Sequence, residues 1–208
     1  SNIRLGRDAL QLLKRRNVSL LMIFALLSTW AAVWQAVFLP YYFFKVMHYT
    51  VLSSAFLADI VLVFGALGKV VLGGTSDYIK RNKLLPIVTL IVLVSYAVFF
   101  ESHNFLINLY SAISMGFFSA AIFPIMQSLA ADSCDGETGT ALGLTTTTQS
   151  IATVFSTLIA GSLFVIGIGK SLALDAMLPA VLALVVALFL KEPRVILGKE
   201  SEDFTKSV

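Results

Sequence analysis

The chain has 208 residues and a formal net charge of +3; 58% of its residues are hydrophobic and 13% are charged, and its mean hydropathy is +0.89. Soluble domains run nearer ~45–50% apolar and ~25% charged, so composition excludes a water-soluble globule and implies an integral membrane protein built from helices. The clumped basic residues are no nucleic-acid footprint. A single cysteine, Cys134, and two histidines, His48 and His103, exclude an intrachain disulfide and a Cys- or His-rich metal centre.

The first element is a leader, residues 1–16. It mixes Ile3, Leu5, Leu10, Leu12 and Leu13 with Arg4, Arg7, Lys14, Arg15 and Arg16, a composition suited to a helix lying on anionic lipid. No cleavable signal pattern precedes the first apolar run, and the chain opens on Ser1, so a fragment of a longer protein is expected. Six apolar runs follow, each near the ~20 residues needed to cross ~30 Å of hydrocarbon. They cover residues 18–42, 51–74, 84–100, 105–131, 138–168 and 171–190. Pro40 is expected to break the first run near its outer end. The runs define a bundle over residues 17–191, and residues 192–208 form a polar tail.

Charge sets the orientation. Loops on one side carry Arg4, Arg7, Lys14, Arg15, Arg16, Lys80, Arg81, Lys83, Lys191, Arg194, Lys199 and Lys206; the other side has only Lys45 and Lys170. Basic residues collect on the cytoplasmic side, which puts both termini there. The remaining basic residue, Lys69, lies inside the second run and is expected to snorkel to the inner interface.

Polar residues are unevenly shared among the runs. The third and sixth are almost wholly apolar, apart from Asp175 near the outer end of the sixth, and suit lipid contact. The others carry groups that lipid penalises. Thr145, Gln149, Thr153 and Ser156 form one stripe on the fifth. Ser28, Gln35 and Tyr42 recur every seven residues on the first, beside Trp30 and Trp34. Tyr110 and Ser114 share a face of the fourth. Asp59 in the second must be paired, hydrated or protonated; it is read either as a coupling carboxylate or as an ion-pair partner of Lys45. The expected pathway residues are therefore Trp34, Gln35, Tyr42, Asp59, Tyr110, Ser114, Thr145 and Gln149. Bland alternatives stand beside them, since Ser, Thr and Gln often act only as hydrogen bonds between helices.

Between the second and third runs the chain reads Gly73-Gly-Thr-Ser-Asp77-Tyr-Ile-Lys-Arg81-Asn-Lys83. This resembles the signature loop of the major facilitator superfamily, Gly-x-x-x-Asp-Arg-x-Gly-Arg-Arg/Lys, with Gly73, Asp77 and Arg81 on matching positions. Tyr78 and Lys80 depart from the pattern. The Gly116…Pro124…Asp132 run, followed by Gly139-Thr-Ala-Leu-Gly143, is similar to the tenth and eleventh helices of these transporters. The resemblance implies an all-α integral membrane six-helix bundle made of two three-helix repeats. It also implies a cytoplasmic gate motif at Gly73, Asp77 and Arg81, and solute movement by alternating access, coupled to protons or another ion as symport or antiport.

The family fold has two such halves. The basic leader, the degraded loop and the lack of Arg in the fourth helix make the C-terminal half the expectation. The implied partners are then a small-molecule substrate, the bilayer of the cell membrane, and the missing N-terminal half or a second copy. No cofactor, metal or enzymatic activity is implied. Few polar groups point to an amphiphilic or monovalent organic substrate. The rival reading is the six-helix substrate-binding subunit of a vitamin importer, whose Ala-x-x-x-Ala docking spacing Ala32 and Ala36 provide.

Overall fold

A computed structural model of the chain describes residues 12–76, 79–102, 104–134, 138–163 and 167–191. The leader (apart from its last residues), Asp77, Tyr78, His103 and the tail lie outside the described residues. Seven helices are bounded within them: α1 (Arg16–Val37), α2 (Leu39–Lys45), α3 (Val51–Thr75), α4 (Arg81–Glu101), α5 (Phe105–Asp132), α6 (Thr138–Leu163) and α7 (Ile168–Phe189). Five of them, α1, α3, α4, α5 and α7, are long and apolar enough to cross a membrane. The protein is a multi-pass helical bundle.

Local chemistry sets the helix ends. Helix α1 stops at Val37, short of the expected residue 42. Pro40 has no backbone N–H and sits in the first turn of α2, where none is needed. The chain therefore breaks at Phe38, and its N–H closes α1 on the Trp34 carbonyl at 2.8 Å. The Thr50 hydroxyl caps α3 by accepting from the Ser53 N–H at 3.2 Å, and the Asn104 side chain caps α5 through the Leu106 N–H at 2.9 Å. The fifth long helix is described as far as Leu163, and the expected run to residue 168 is interrupted by Gly167. Gly167 turns the chain at φ 120°, a left-handed conformation that glycine tolerates, and Ile168 already belongs to α7. Arg81 is the first residue of α4 rather than a loop residue.

Two sets of three long helices interlock. In the first set α1, α3 and α4 follow one another; in the second, α5, α6 and α7. Helix α5 packs on α3 and α4, α1 packs on α6 and α7, and α4 meets α7. The leading helix of each set thus lies against the second and third helices of the other.

Lipid tails are as apolar as leucine, so burial from water cannot hold such helices together; close backbone approach and hydrogen bonds must do so. The closest approach joins α3 and α5. A methyl group at Gly68 would fall on the Phe117 carbonyl, whose carbon lies 2.7 Å away, and one at Gly116 would lie 2.6 Å from the Val61 oxygen. At Gly73, expected from the loop pattern to permit close approach, an added methyl group would lie 3.6 Å from the Pro124 ring, an ordinary contact.

The two ends of the bundle differ. At one end the Asn17 side chain donates to the Ser133 hydroxyl at 3.3 Å and accepts from the Lys191 N–H at 3.1 Å. Arg81 pairs there with Asp132. This end gathers the basic segments that the charge count put on one side. The other end is aromatic. Trp34 lies 4.9 Å from Phe100, 5.6 Å from Tyr96 and 5.7 Å from Phe99, centroid to centroid, and Tyr42 lies 5.3 Å from Phe99. Such pairs contribute roughly 0.5–1.5 kcal/mol each beyond simple burial.

Candidate functional site: a cavity between four helices

The glycine contact that brings α3 against α5 leaves α3 apart from α1, and a cavity of about 460 Å³ fills the space. Ser28, Thr29, Ala32, Gln35 and Ala36 of α1 line one wall. Val61, Leu62, Gly65, Ala66 and Lys69 of α3 face them. Gly116, Ser119, Ala120, Ile122, Phe123 and Met126 of α5 form the back, and Gln149 of α6 closes one side. Ala36, Leu62, Ala66 and Phe123 are also exposed on the outside of the bundle, so the cavity opens to one flank.

Gln35 is its most constrained polar group. Its amide nitrogen donates to the Tyr96 hydroxyl at 2.5 Å, and its carbonyl accepts from the Ser119 hydroxyl at 3.3 Å. Tyr96 is fully buried and donates in turn to the Ala31 carbonyl at 2.8 Å. One amide hydrogen and one carbonyl lone pair of Gln35 are left for a bound molecule. Gln149, across the cavity, has no side-chain partner among the described residues, so its whole amide is available. These two glutamines are the expected pathway residues that the fold brings together.

The other expected residues are scattered. Trp34 and Tyr42 stand behind the cavity in the aromatic cluster, buried to 0% and 3% exposure. The Ser114 hydroxyl bonds the Ser95 hydroxyl at 2.8 Å and ties α5 to α4. Thr145 is fully buried and donates to its own Ala141 carbonyl at 2.8 Å. Tyr110 is 70% exposed and does not share the surroundings of Ser114. Asp59 is exposed on α3, off the cavity lining. It forms no ion pair with Lys45, whose ammonium lies 5.3 Å from the Phe44 ring centre. The stripe on α6 splits the same way: Ser156 is buried, Gln149 faces the cavity, and Thr153 is exposed.

Of the gate motif, Gly73 has room for a methyl group beside Pro124, and Asp77 lies outside the described residues. Arg81 binds Asp132, the last residue of α5. That pair joins the start of α4 to the end of α5 at the basic end.

Three features escaped the sequence reading. Lys69, exposed on α3, also lines the cavity, with its ammonium 5.9 Å from the Phe123 ring centre. A lysine between Gly65 and Gly73 was the available signal. Asp175 is 4% exposed, with its carboxylate accepting from the Trp30 indole N–H at 2.8 Å and the Ser156 hydroxyl at 3.4 Å. No basic side chain pairs with it among the described residues. A lone acid in an otherwise apolar run was its signal. The third is the glycine crossing, foreshadowed by Gly65-x-x-Gly68. Ala32 and Ala36 line the cavity, and Ala36 is also exposed at its open flank.

Apolar spanning helices around a side-open cavity, with a few polar groups converging on it, define a multi-pass membrane protein built to admit a small molecule. Residues 3–157 match the family model of the Major Facilitator Superfamily. With more than half its length matched, the chain belongs to the major facilitator superfamily, and is a membrane transporter of that family. No curated protein sequence matches it.

Proposed function

We propose that this chain forms one six-helix half of a secondary active transporter, the C-terminal one, and that the cavity is its share of the substrate pathway. The observation that carries the reading is the face of α6. This helix falls short of the apolarity of the other five long ones, and Gly143, Thr146, Thr147, Ser150 and Thr153 are all exposed on it. The hydroxyls of Thr146, Thr147, Ser150 and Thr153 donate to carbonyls one turn back. That satisfies their hydrogens within the helix but leaves their oxygens as acceptors. This polar stripe suits another protein body or water, not hydrocarbon, while the rest of the helix exposes Ile151, Val154, Phe155 and Leu158. Helix α7, by contrast, exposes Leu174, Leu178, Val181, Leu182, Val185 and Leu188.

On this reading α6 also crosses the membrane, as the fifth of six spans in chain order, and the interlocked sets are two three-helix repeats related by exchange of their leading helices. The basic end faces the cytoplasm of the cell membrane, and the open flank of α1, α3, α5 and α6 meets the N-terminal half or a second copy. Transport proceeds by alternating access, as the two bodies rock about the cavity. The Arg81–Asp132 pair, with Asp77 beside it in sequence, would hold the cytoplasmic side together in one state. If a carboxylate of this half couples a cation gradient, buried Asp175 and exposed Asp59 are its two candidates in the spans.

The test is association. In nanodiscs, the chain alone should pair through this flank, and Thr147→Cys should form an oxidative cross-link to a second copy or to a co-expressed N-terminal half. A monodisperse single copy that leaves Thr147→Cys uncross-linked in both settings contradicts the proposal.

A further inference from the structure

We propose that the cavity binds an organic monoanion, a carboxylate with an apolar body, and that Lys69 holds its charged head. The inference rests on reading the cavity as the substrate pathway and gives that substrate its sign of charge.

Lys69 is the one charged side chain among the described residues that line the cavity. It is exposed on a 25-residue apolar helix, eighteen residues after Val51 and six before Thr75, so its charge stands open at the mouth of the cavity. No carboxylate pairs with it among the described residues. Asp59, on the same helix, is ten residues away, or about 15 Å along the axis. The ammonium sits instead near the Phe123 ring, within the ~6 Å range of a cation–π contact. That contact orients a cation but cannot neutralise it. A bound anion would.

The rest of the lining says what kind of anion. One ammonium is a point charge with no guanidinium fork beside it. It matches a single negative charge and leaves a phosphate dianion undercompensated. Val61, Leu62, Ile122, Phe123 and Met126 offer the ligand's body an apolar wall. The unpartnered Gln149 amide supplies neutral donors to the second carboxylate oxygen.

The experiment uses the purified chain in neutral phosphatidylcholine nanodiscs, with 4-phenylbutyrate and its uncharged amide as matched probes. Binding is measured by calorimetry against empty discs. The acid should bind at least ten-fold more tightly than the amide. Lys69→Gln should abolish that preference, while Lys69→Arg should keep it. Equal affinities in the parent chain, a preference that survives Lys69→Gln, or binding of neither probe overturns the assignment. Reaction of an Ala66→Cys variant with a water-soluble maleimide reports on the cavity independently. If it reacts while the acid is not preferred, the ligand class fails and the pathway stands; if it does not react, the pathway reading itself fails.

Discussion

Replacing Gly68 by alanine should destabilise the protein far more than the same change six residues on, at Gly74. The added methyl group would lie 2.7 Å from the Phe117 carbonyl carbon, against an ordinary contact distance that begins at 3.4 Å. Helix α3 must therefore move at least 0.7 Å away from α5 (3.4 − 2.7), and neither side of the contact is a flexible side chain. A radial gap of ~0.5–1 Å forfeits about a quarter to a half of each dispersion contact along the crossing. In a bilayer no hydrophobic term replaces that loss. The expected cost is at the upper end of the ~1–3 kcal/mol typical of overpacking. At Gly74 nothing lies within 4 Å of the added methyl, and alanine's better helix propensity should stabilise by up to ~1 kcal/mol. Reversible unfolding in mixed micelles, followed by the fluorescence of Trp30 and Trp34, measures both. If Gly68→Ala and Gly74→Ala unfold together, the α3–α5 crossing does not hold the bundle as described.

Other perturbations follow from the same contacts. Tyr96→Phe removes the donor to Ala31 and leaves the Gln35 amide with one partner, so it should cost about 1–3 kcal/mol in the same unfolding assay; an unchanged midpoint would show that the Gln35–Tyr96–Ala31 chain carries no weight. Asp175→Ala strands the Trp30 indole N–H and should cost ~0.6–1.7 kcal/mol, the range for hydrogen bonds between membrane helices, whereas Asp175→Asn keeps an acceptor and should cost less. Equal losses in the two variants would argue against the Trp30 contact. The Arg81–Asp132 pair is only 21% and 34% exposed on its two sides, and a double-mutant cycle on unfolding should return a coupling of about 0.2–1 kcal/mol that shrinks with added salt. Coupling that is absent at low salt would remove this pair from the basic end.

How far the sequence revealed this protein depends on range. Apolar run length is a local property, and it located the long helices to within a few residues. Pro40 announced the break between α1 and α2 because a missing N–H acts locally. The exchange of leading helices between the two sets was not legible, since nothing in an apolar run says which neighbour it meets. The site was harder to read. Helical periodicity put Trp34, Gln35 and Tyr42 near one another, but it cannot tell a cavity wall from the aromatic cluster behind it; only Gln35 reaches the cavity. Tyr110 and Ser114 share a stripe, yet one is exposed and the other bonds Ser95, because the edge of an interface runs between them. Lys69 was assigned to the lipid interface because its depth alone allows snorkelling. The glycine crossing, which opens α3 from α1, makes it part of the cavity lining as well. Asp175 found Trp30 and Ser156 across 145 and 19 residues, pairings that no local pattern encodes.

The most direct test of the account asks whether the cavity meets water from both sides of the membrane. In a Cys134→Ala background, with the transporter assembled in sealed vesicles of each orientation, single cysteines at Ala66, Gln149 and Leu182 are exposed to a membrane-impermeant maleimide. The account predicts that Ala66→Cys and Gln149→Cys react from either face, while Leu182→Cys on the apolar side of α7 reacts from neither. Reaction of the cavity positions from one face alone, or labelling of Leu182→Cys as fast as theirs, would contradict it.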